Sequence, residues 1–393
     1  MPEILVGEFA HTEDIKSEEK ITDMSDRIRK LDPDSTQFTT MSSQAGSQIA
    51  TREKVNWLEE QYVTNVFTVD AVYSAGATTI SVGTVEAGAL VKNDVLRNMR
   101  TGEAFLVTGP PNASGDVPVL PHVGDLPVGG SVAGQVGDKL LFVGSAFPQG
   151  SKLPDMKYSQ RTLGFNYTQI FRTVWNFSMT ATKIDQHGGR EPAKEAARKT
   201  VEHKRELENN GFFGAREWYT SADPQGASGG LIEFIVTNKQ DVNGELTADF
   251  FDQFLTTVLS KGSSDKVVYT GTIGAYYISR WNRAGQGAFY ASDRSNVHGV
   301  KVDGFISGVF GYQIPLVVKK DWSNLPSGDA GYNGCLFVVD QSNVQRRPLR
   351  ERDTKLYTNR QNPGDDRYAA EYLTEMAWEI AVEKSHGLLT GIQ

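Results

Sequence analysis

Residues 191–214 read EPAKEAARKTVEHKRELENNGFFG, and this stretch decides the fold. Pro192 suits the first turn of a helix, where a missing backbone N–H costs nothing. Opposite charges stand four apart at Glu195–Lys199, Arg198–Glu202 and Lys204–Glu208, each pair adding a few tenths of a kcal/mol. Asn209-Asn210-Gly211 predicts the stop. Twenty residues from Glu191 to Asn210 make a rod of about 30 Å. Ala193, Ala196, Ala197, Thr200, Val201 and Leu207 form one narrow, mostly small face. That face predicts close approach to a sheet. The charged back, with Lys194, Arg205 and Glu208, is expected to face solvent or another subunit, and His203 is expected to be solvated.

Downstream of this helix the pattern alternates between periods. Thr247–Gly262 carries Phe250, Phe251, Phe254, Leu255, Val258 and Leu259 at helical spacing. Val267–Thr270 reads as a buried strand and Ile273–Arg283 as a further helix, an α/β layer. Strands are expected over Gly304–Phe310, Tyr312–Lys319 and Cys335–Asp340. Over Tyr368–Glu383, Glu371, Leu373, Glu375, Ala377, Glu379, Ala381 and Glu383 alternate with Tyr372, Thr374, Met376, Trp378, Ile380 and Val382. One very long strand produces that alternation.

Upstream, Ser159–Thr182 reads as extended, either a hairpin or one two-sided strand. Between Val66 and Val143, short apolar runs alternate with Gly, Pro and Asn turns. The windows are Phe67–Val72, Thr78–Val82, Val95–Met99, Ala104–Val107, Val117–Leu120, Ser131–Ala133 and Leu140–Val143. They predict a small antiparallel β-barrel or sandwich inserted in a larger fold. The first fifty residues are polar, except that Ile21, Met24, Ile28 and Leu31 share one face of a helix over Thr12–Leu31, which Pro33 ends. So thin an apolar stripe needs another surface, its own body or a neighbouring subunit.

Composition narrows the function. The 393 residues carry a net charge of −8, which argues against a protein whose affinity comes from neutralising phosphates. The one basic cluster is Arg346, Arg347, Arg350, Arg352, Lys355 and Arg360. It reads as a segment pairing with a neighbour's acidic residues, or as a patch facing nucleic acid without sequence preference. The lone cysteine, Cys335, sits in an apolar run and reads as a core residue. Met1–Ala10 lacks the pattern of a signal peptide, and no apolar run approaches the 18–20 residues or so of a membrane span. No P-loop, nucleophile elbow, zinc-binding or EF-hand motif occurs. Gly285-Gln286-Gly287 lacks the third glycine of a dinucleotide fingerprint. His11, His122, His187, His203, His298 and His386 stand at no metal-ligand spacing. No catalytic, cofactor or metal site is expected.

The order of parts then carries a resemblance. Four stretches bear it: Glu13-Asp14-Ile15 through Asp26-Arg27-Ile28; Phe165-Asn166-Tyr167-Thr168-Gln169-Ile170-Phe171-Arg172; the helix end Glu208-Asn209-Asn210-Gly211-Phe212-Phe213-Gly214; and Glu383-Lys384-Ser385-His386-Gly387-Leu388-Leu389-Thr390-Gly391. Together the chain resembles the major capsid proteins of tailed bacteriophages with the Hong Kong 97-like fold. More closely, it looks like the branch with a small β-domain inserted ahead of the long spine helix.

The resemblance implies an α+β fold with an N-terminal arm (1–50), an extended loop and peripheral strands (51–65 and 144–190) and the inserted β-domain (66–143). The spine helix with the peripheral domain (191–229), an axial α/β domain (230–350) and a return strand of the peripheral domain (351–393) complete it. It implies a structural protein, not an enzyme, that assembles through hexamers and pentamers into the icosahedral head around double-stranded DNA. Its implied partners are copies of itself, a separate scaffolding protein, a portal and a decoration protein, with non-specific proximity to packaged DNA and no membrane. It would be built in the host cytoplasm and end in the virion. Candidate intersubunit contacts are Ile21, Met24, Ile28, Arg161, Arg172, Lys194, Arg205, Glu208, Arg346, Arg347 and Arg350. The rival readings are another virion protein (tail-tube, decoration or fibre subunit) and a cytoplasmic hydrolase.

Overall fold

The structure is a computed structural model that describes residues 37–60, 64–121, 132–153, 156–157, 159–184, 191–220, 223–284, 295–297, 300–306, 313–324 and 332–393. The expected helix over Thr12–Leu31, with Ile21, Met24 and Ile28, lies outside the described residues. So do Ser131, Gly285-Gln286-Gly287, His11, His122, His187 and His298. The chain divides into two compact units, residues 58–163 and residues 1–57 with 164–393.

In the unit of residues 58–163, six short strands pair antiparallel. Their order in space is Val66–Thr68, Lys139–Ser145, Asp94–Asn98, Ala104–Val107, Asp116–Pro121 and Thr79–Ser81. A bridge between Val69 and Val82 joins the two ends of that order, so the sheet curls back on itself. Inward residues alternate with outward ones along each strand. The inward set packs as one core that includes Phe67, Ile80, Leu96, Phe105, Val117 and Leu140. Beside it Asp138 accepts two hydrogen bonds from Arg100 and one from Asn98. The Arg100 guanidinium holds the Asp138 carboxyl well below the usual carboxylate range. A turn of helix at Thr84–Ala87 and the absence of a strand at Val132–Ala133 depart from expectation.

The other unit is built on two sheets. Seven strands run in the order Lys239–Gly244, Gly387–Ile392, Leu336–Asp340, Lys266–Thr270, Gln313–Val318, Val300–Ile306 and Ser295–Val297. The central strands Lys266–Thr270 and Leu336–Asp340 are buried along their whole length, because both faces of the sheet are covered. One face carries Val268, Leu336 and Val338. It meets Phe251, Phe254 and Val258 of the helix Ala248–Leu259, and Ile278 and Trp281 of the helix Thr272–Ala284. The other face carries Val267, Tyr269, Phe337 and Val339, and meets Leu207 and Phe212 of the long helix. Cys335 is buried here and burial pushes its thiol up to about 12.

The second sheet is organised by the strand Arg367–Ile380, fourteen residues long. Gln169–Ser178 pairs along one side of it through ten residues. Val344–Pro348 and Lys355–Thr358 share the other side. The extended stretch Ser159–Thr182 is therefore not a hairpin. It breaks at Thr168, where Thr162–Tyr167 turns to pair with Lys54–Glu59 and Gln169–Ser178 joins the long strand.

Two expectations about the first half of this unit fail. The helix Gln37–Ala45 lies in what was read as arm, yet Phe38 and Met41 are wholly buried. The Phe38 ring stands 4.5 Å from that of Phe212, 5.1 Å from Trp378 and 5.4 Å from Tyr269. The body therefore begins by residue 37. The long helix, for its part, spans Glu191–Phe213 and runs through Gly211. Gly211 is there for room, since a Cβ on it would lie 2.6 Å from Phe38 and 3.1 Å from Trp378.

The inward face of the helix carries His203, Leu207, Glu208 and Phe212, and Ala197 points to solvent. The expected seam holds only in part: Leu207 faces the sheet and Thr200 donates to the Tyr372 hydroxyl at 2.8 Å, but Ala197 is exposed. Ala197→Leu should be nearly neutral, within about 0.5 kcal/mol. Gly211→Val should destabilise the unassembled subunit by about 1–3 kcal/mol through overpacking. Denaturant unfolding of both variants checks the assignment, and the reverse order would contradict it.

Candidate assembly surfaces and the charged face of the second sheet

Alternate residues of the strand Arg367–Ile380 point to opposite faces of its sheet. Tyr372, Thr374, Met376 and Trp378 turn toward the long helix. Glu371, Glu375 and Glu379 turn the other way and recur four residues apart, about 13 Å between neighbours. Each meets arginine. Glu371 accepts from Arg172 at 2.6 and 2.9 Å and from Arg360 at 2.8 Å. Arg352 lies 2.5 Å from Glu375, and Arg347 donates to Glu379 at 2.5 Å. Burial alone would raise the Glu371 carboxyl, but the two guanidinium groups outweigh it and hold it below its ordinary range.

This row answers the question of the basic cluster. Three of its arginines, Arg347, Arg352 and Arg360, pair with glutamates of their own subunit. The correction has a simple cause: the strand's alternation puts every fourth residue, each a Glu, on the face where the arginine-bearing segments run. Arg346 sits apart, donating to Asp353 at 3.1 Å and to Ser43 at 3.1 Å. Arg350 is exposed and only its backbone is engaged in the hydrogen bonds described, donating to Ala50. An open cleft of about 540 Å³ adjoins the row, lined by Glu53, Ile170, Arg172, Trp218, Tyr219 and Glu375 among others.

The remaining candidates fall in different places. Arg161 is exposed and pairs with Glu60 at 3.2 Å in the unit of residues 58–163. Lys194 and Arg205 are half-buried along the long helix. Glu208 overturns its expectation. It is buried, and its partner is not Lys204 but Lys319, at the end of the strand Gln313–Val318. It also accepts from the Phe38 and Thr39 N–H groups at 3.1 and 3.4 Å, so it caps the helix Gln37–Ala45 from outside. Burial pushes its carboxyl up against the pull of Lys319.

His203 likewise is buried rather than solvated. It faces the sheet because it lies one turn before Leu207 on the apolar side of the helix.

A family model described as SU10 major capsid protein matches residues 9–393. The chain belongs to the SU10 major capsid protein family. The major capsid protein of Pseudomonas phage PaMx41 is 26% identical over 379 residues, covering 92% of this chain and 86% of that one. Among solved structures, the capsid of a native GTA particle is similar at 11% identity and a TM-score of 0.46, covering 97% of this chain and 98% of that one. A chain of Microbacterium phage Oxtober96 is similar at 13% identity and a TM-score of 0.46, covering 95% and 96%. As a member of this family, the chain is a phage major capsid protein and a component of the virion shell.

Proposed function

We propose that this capsid subunit builds an icosahedral head as hexamers and pentamers of itself, enclosing double-stranded DNA. Its work is structural rather than catalytic. The observation that carries the reading is the family match along residues 9–393. Assembly proceeds in the host cytoplasm, guided by a separate scaffolding protein and joined by a portal and a decoration protein. The unit of residues 58–163 and the segments flanking it supply the contacts that bend between copies, while the two-sheet core stays rigid. Leu153 and Met156 are exposed and are available to a neighbouring copy.

The candidate contacts that keep this role are Ile21, Met24, Ile28, Arg161, Lys194, Arg205 and Arg350. Arg172, Arg346 and Arg347 act first within their own subunit. Any contact of Arg350 and Lys355 with packaged DNA is to phosphates and therefore salt-sensitive, without sequence preference. The arm before residue 37 crosses onto a neighbouring copy. Deleting residues 1–31 should leave a folded subunit that fails to form stable shells, read by circular dichroism and electron microscopy. Normal shells from the deletion would overturn the arm's role.

A further inference from the structure

His203 lies at the centre of a relay that ties four segments together. Its Nδ1 is 2.8 Å from Thr173 Oγ1, in the strand Gln169–Ser178. Its Nε2 is 2.7 Å from Thr374 Oγ1, in the strand Arg367–Ile380. Thr173 Oγ1 in turn donates to Glu206 Oε2 at 3.2 Å, and Thr374 Oγ1 is 2.9 Å from Thr354 Oγ1. A neutral imidazole protonated at Nδ1 satisfies every member. Nδ1–H donates to Thr173, which donates to Glu206. Thr354 donates to Thr374, which donates to Nε2. Taking a second proton at Nε2 forces the Thr374 and Thr354 hydroxyls to turn together and places a charge in a site that is 1% exposed.

The groups facing the ring decide the sign. On the helix itself there is Glu206. From the neighbouring strand comes Arg346, paired with Asp353, and from the long strand the Tyr372 ring, 6.0 Å away. Burial, and after it the Arg346 charge, pushes the imidazole down to about 4. Glu206, itself pushed up by burial, does not reverse this.

We propose that the His203 relay is a proton-sensitive joint: neutral, it ties the long helix to the four-stranded sheet, and on taking up a proton it loosens that contact. A histidine depressed in the folded state contributes stability that is full above its unfolded value near 6.5 and is lost as pH falls toward 4. In a capsid subunit the helix that loosens is the longest helix among the described residues of its unit. Its attachment to the sheet is therefore the contact through which acid would change the subunit's shape.

The test is hydrogen exchange of amides 196–210 between pH 7 and 4, corrected for intrinsic rates, on the full chain as subunits and as shells. The opening constant should rise by up to about tenfold per pH unit through the window, the slope of one proton taken up on opening. In His203→Gln, which keeps a donor and an acceptor, that slope should vanish, whatever His386 contributes elsewhere. The wild-type His203 ring, followed by NMR, should titrate far below 6.5, and Arg346→Gln should move it upward. An unchanged exchange slope in His203→Gln, or a His203 ring titrating near 6.5, would overturn the proposal.

Discussion

Phe38→Ala should cost about 3–5 kcal/mol of subunit stability, the range for deleting a fully buried aromatic ring. Phe38 is buried at the meeting point of three layers. Its ring touches Phe212 of the long helix, Trp378 of the long strand and Tyr269 of the seven-stranded sheet. Those neighbours are themselves held on all sides, so the site cannot collapse into the void and the upper half of the range is expected. Phe147→Ala is the control. Phe147 is 40% exposed and outside any core cluster, so its loss should fall within about 0.5 kcal/mol. Denaturant unfolding of the unassembled chain measures both. Equal effects would mean that Gln37–Ala45 belongs to the arm after all.

Glu208→Leu should be as severe, about 3–5 kcal/mol, because it strands a buried lysine. Lys319 would lose its closest counter-charge, leaving Asp321 at 3.8 Å. The Phe38 and Thr39 N–H groups would lose their acceptor at the same time. The double variant Glu208→Leu with Lys319→Met should recover most of the loss, since a buried ion pair exchanged for apolar groups of similar volume is often neutral. It should fall short of wild type by about 1 kcal/mol, the worth of the lost helix cap. The double-mutant cycle isolates the pair. Additive losses would show that the two charges do not act together.

How much of this was legible in the sequence differs by element. The strand Arg367–Ile380 was readable almost to its ends, because a strict polar–apolar alternation has no helical reading. The strands of residues 58–163 were readable for the same reason, each bounded by turn residues. Gly115 shows the turn logic well: at φ +84° a Cβ would lie 2.2 Å from the Val82 carbonyl. The helix Gln37–Ala45 was not readable. Its sequence, QFTTMSSQA, has only two large apolar residues, Phe38 and Met41. What makes it a helix is the pocket that receives them and the carboxylate of Glu208, 170 residues away.

The charged groups were the least legible part of the candidate surfaces. Local spacing paired Glu208 with Lys204, and the fold paired it with Lys319. Local spacing left Arg347, Arg352 and Arg360 to a neighbour or to nucleic acid, and the fold gave them Glu379, Glu375 and Glu371. For Glu208 a contact distant in sequence outweighs an i,i+4 pair worth a few tenths of a kcal/mol. His203 follows the same rule. A histidine flanked by Glu202 and Lys204 looks solvated until the sheet that covers it is known.

The central claim is that this chain is the repeating subunit of a phage head. Electron microscopy of the particles that contain it tests this most directly. The account predicts closed icosahedral shells in which this chain is the most abundant protein, with density at each subunit that fits the two-sheet core and the long helix Glu191–Phe213. Tubes, fibres or a minor copy number on shells built by another protein would contradict it.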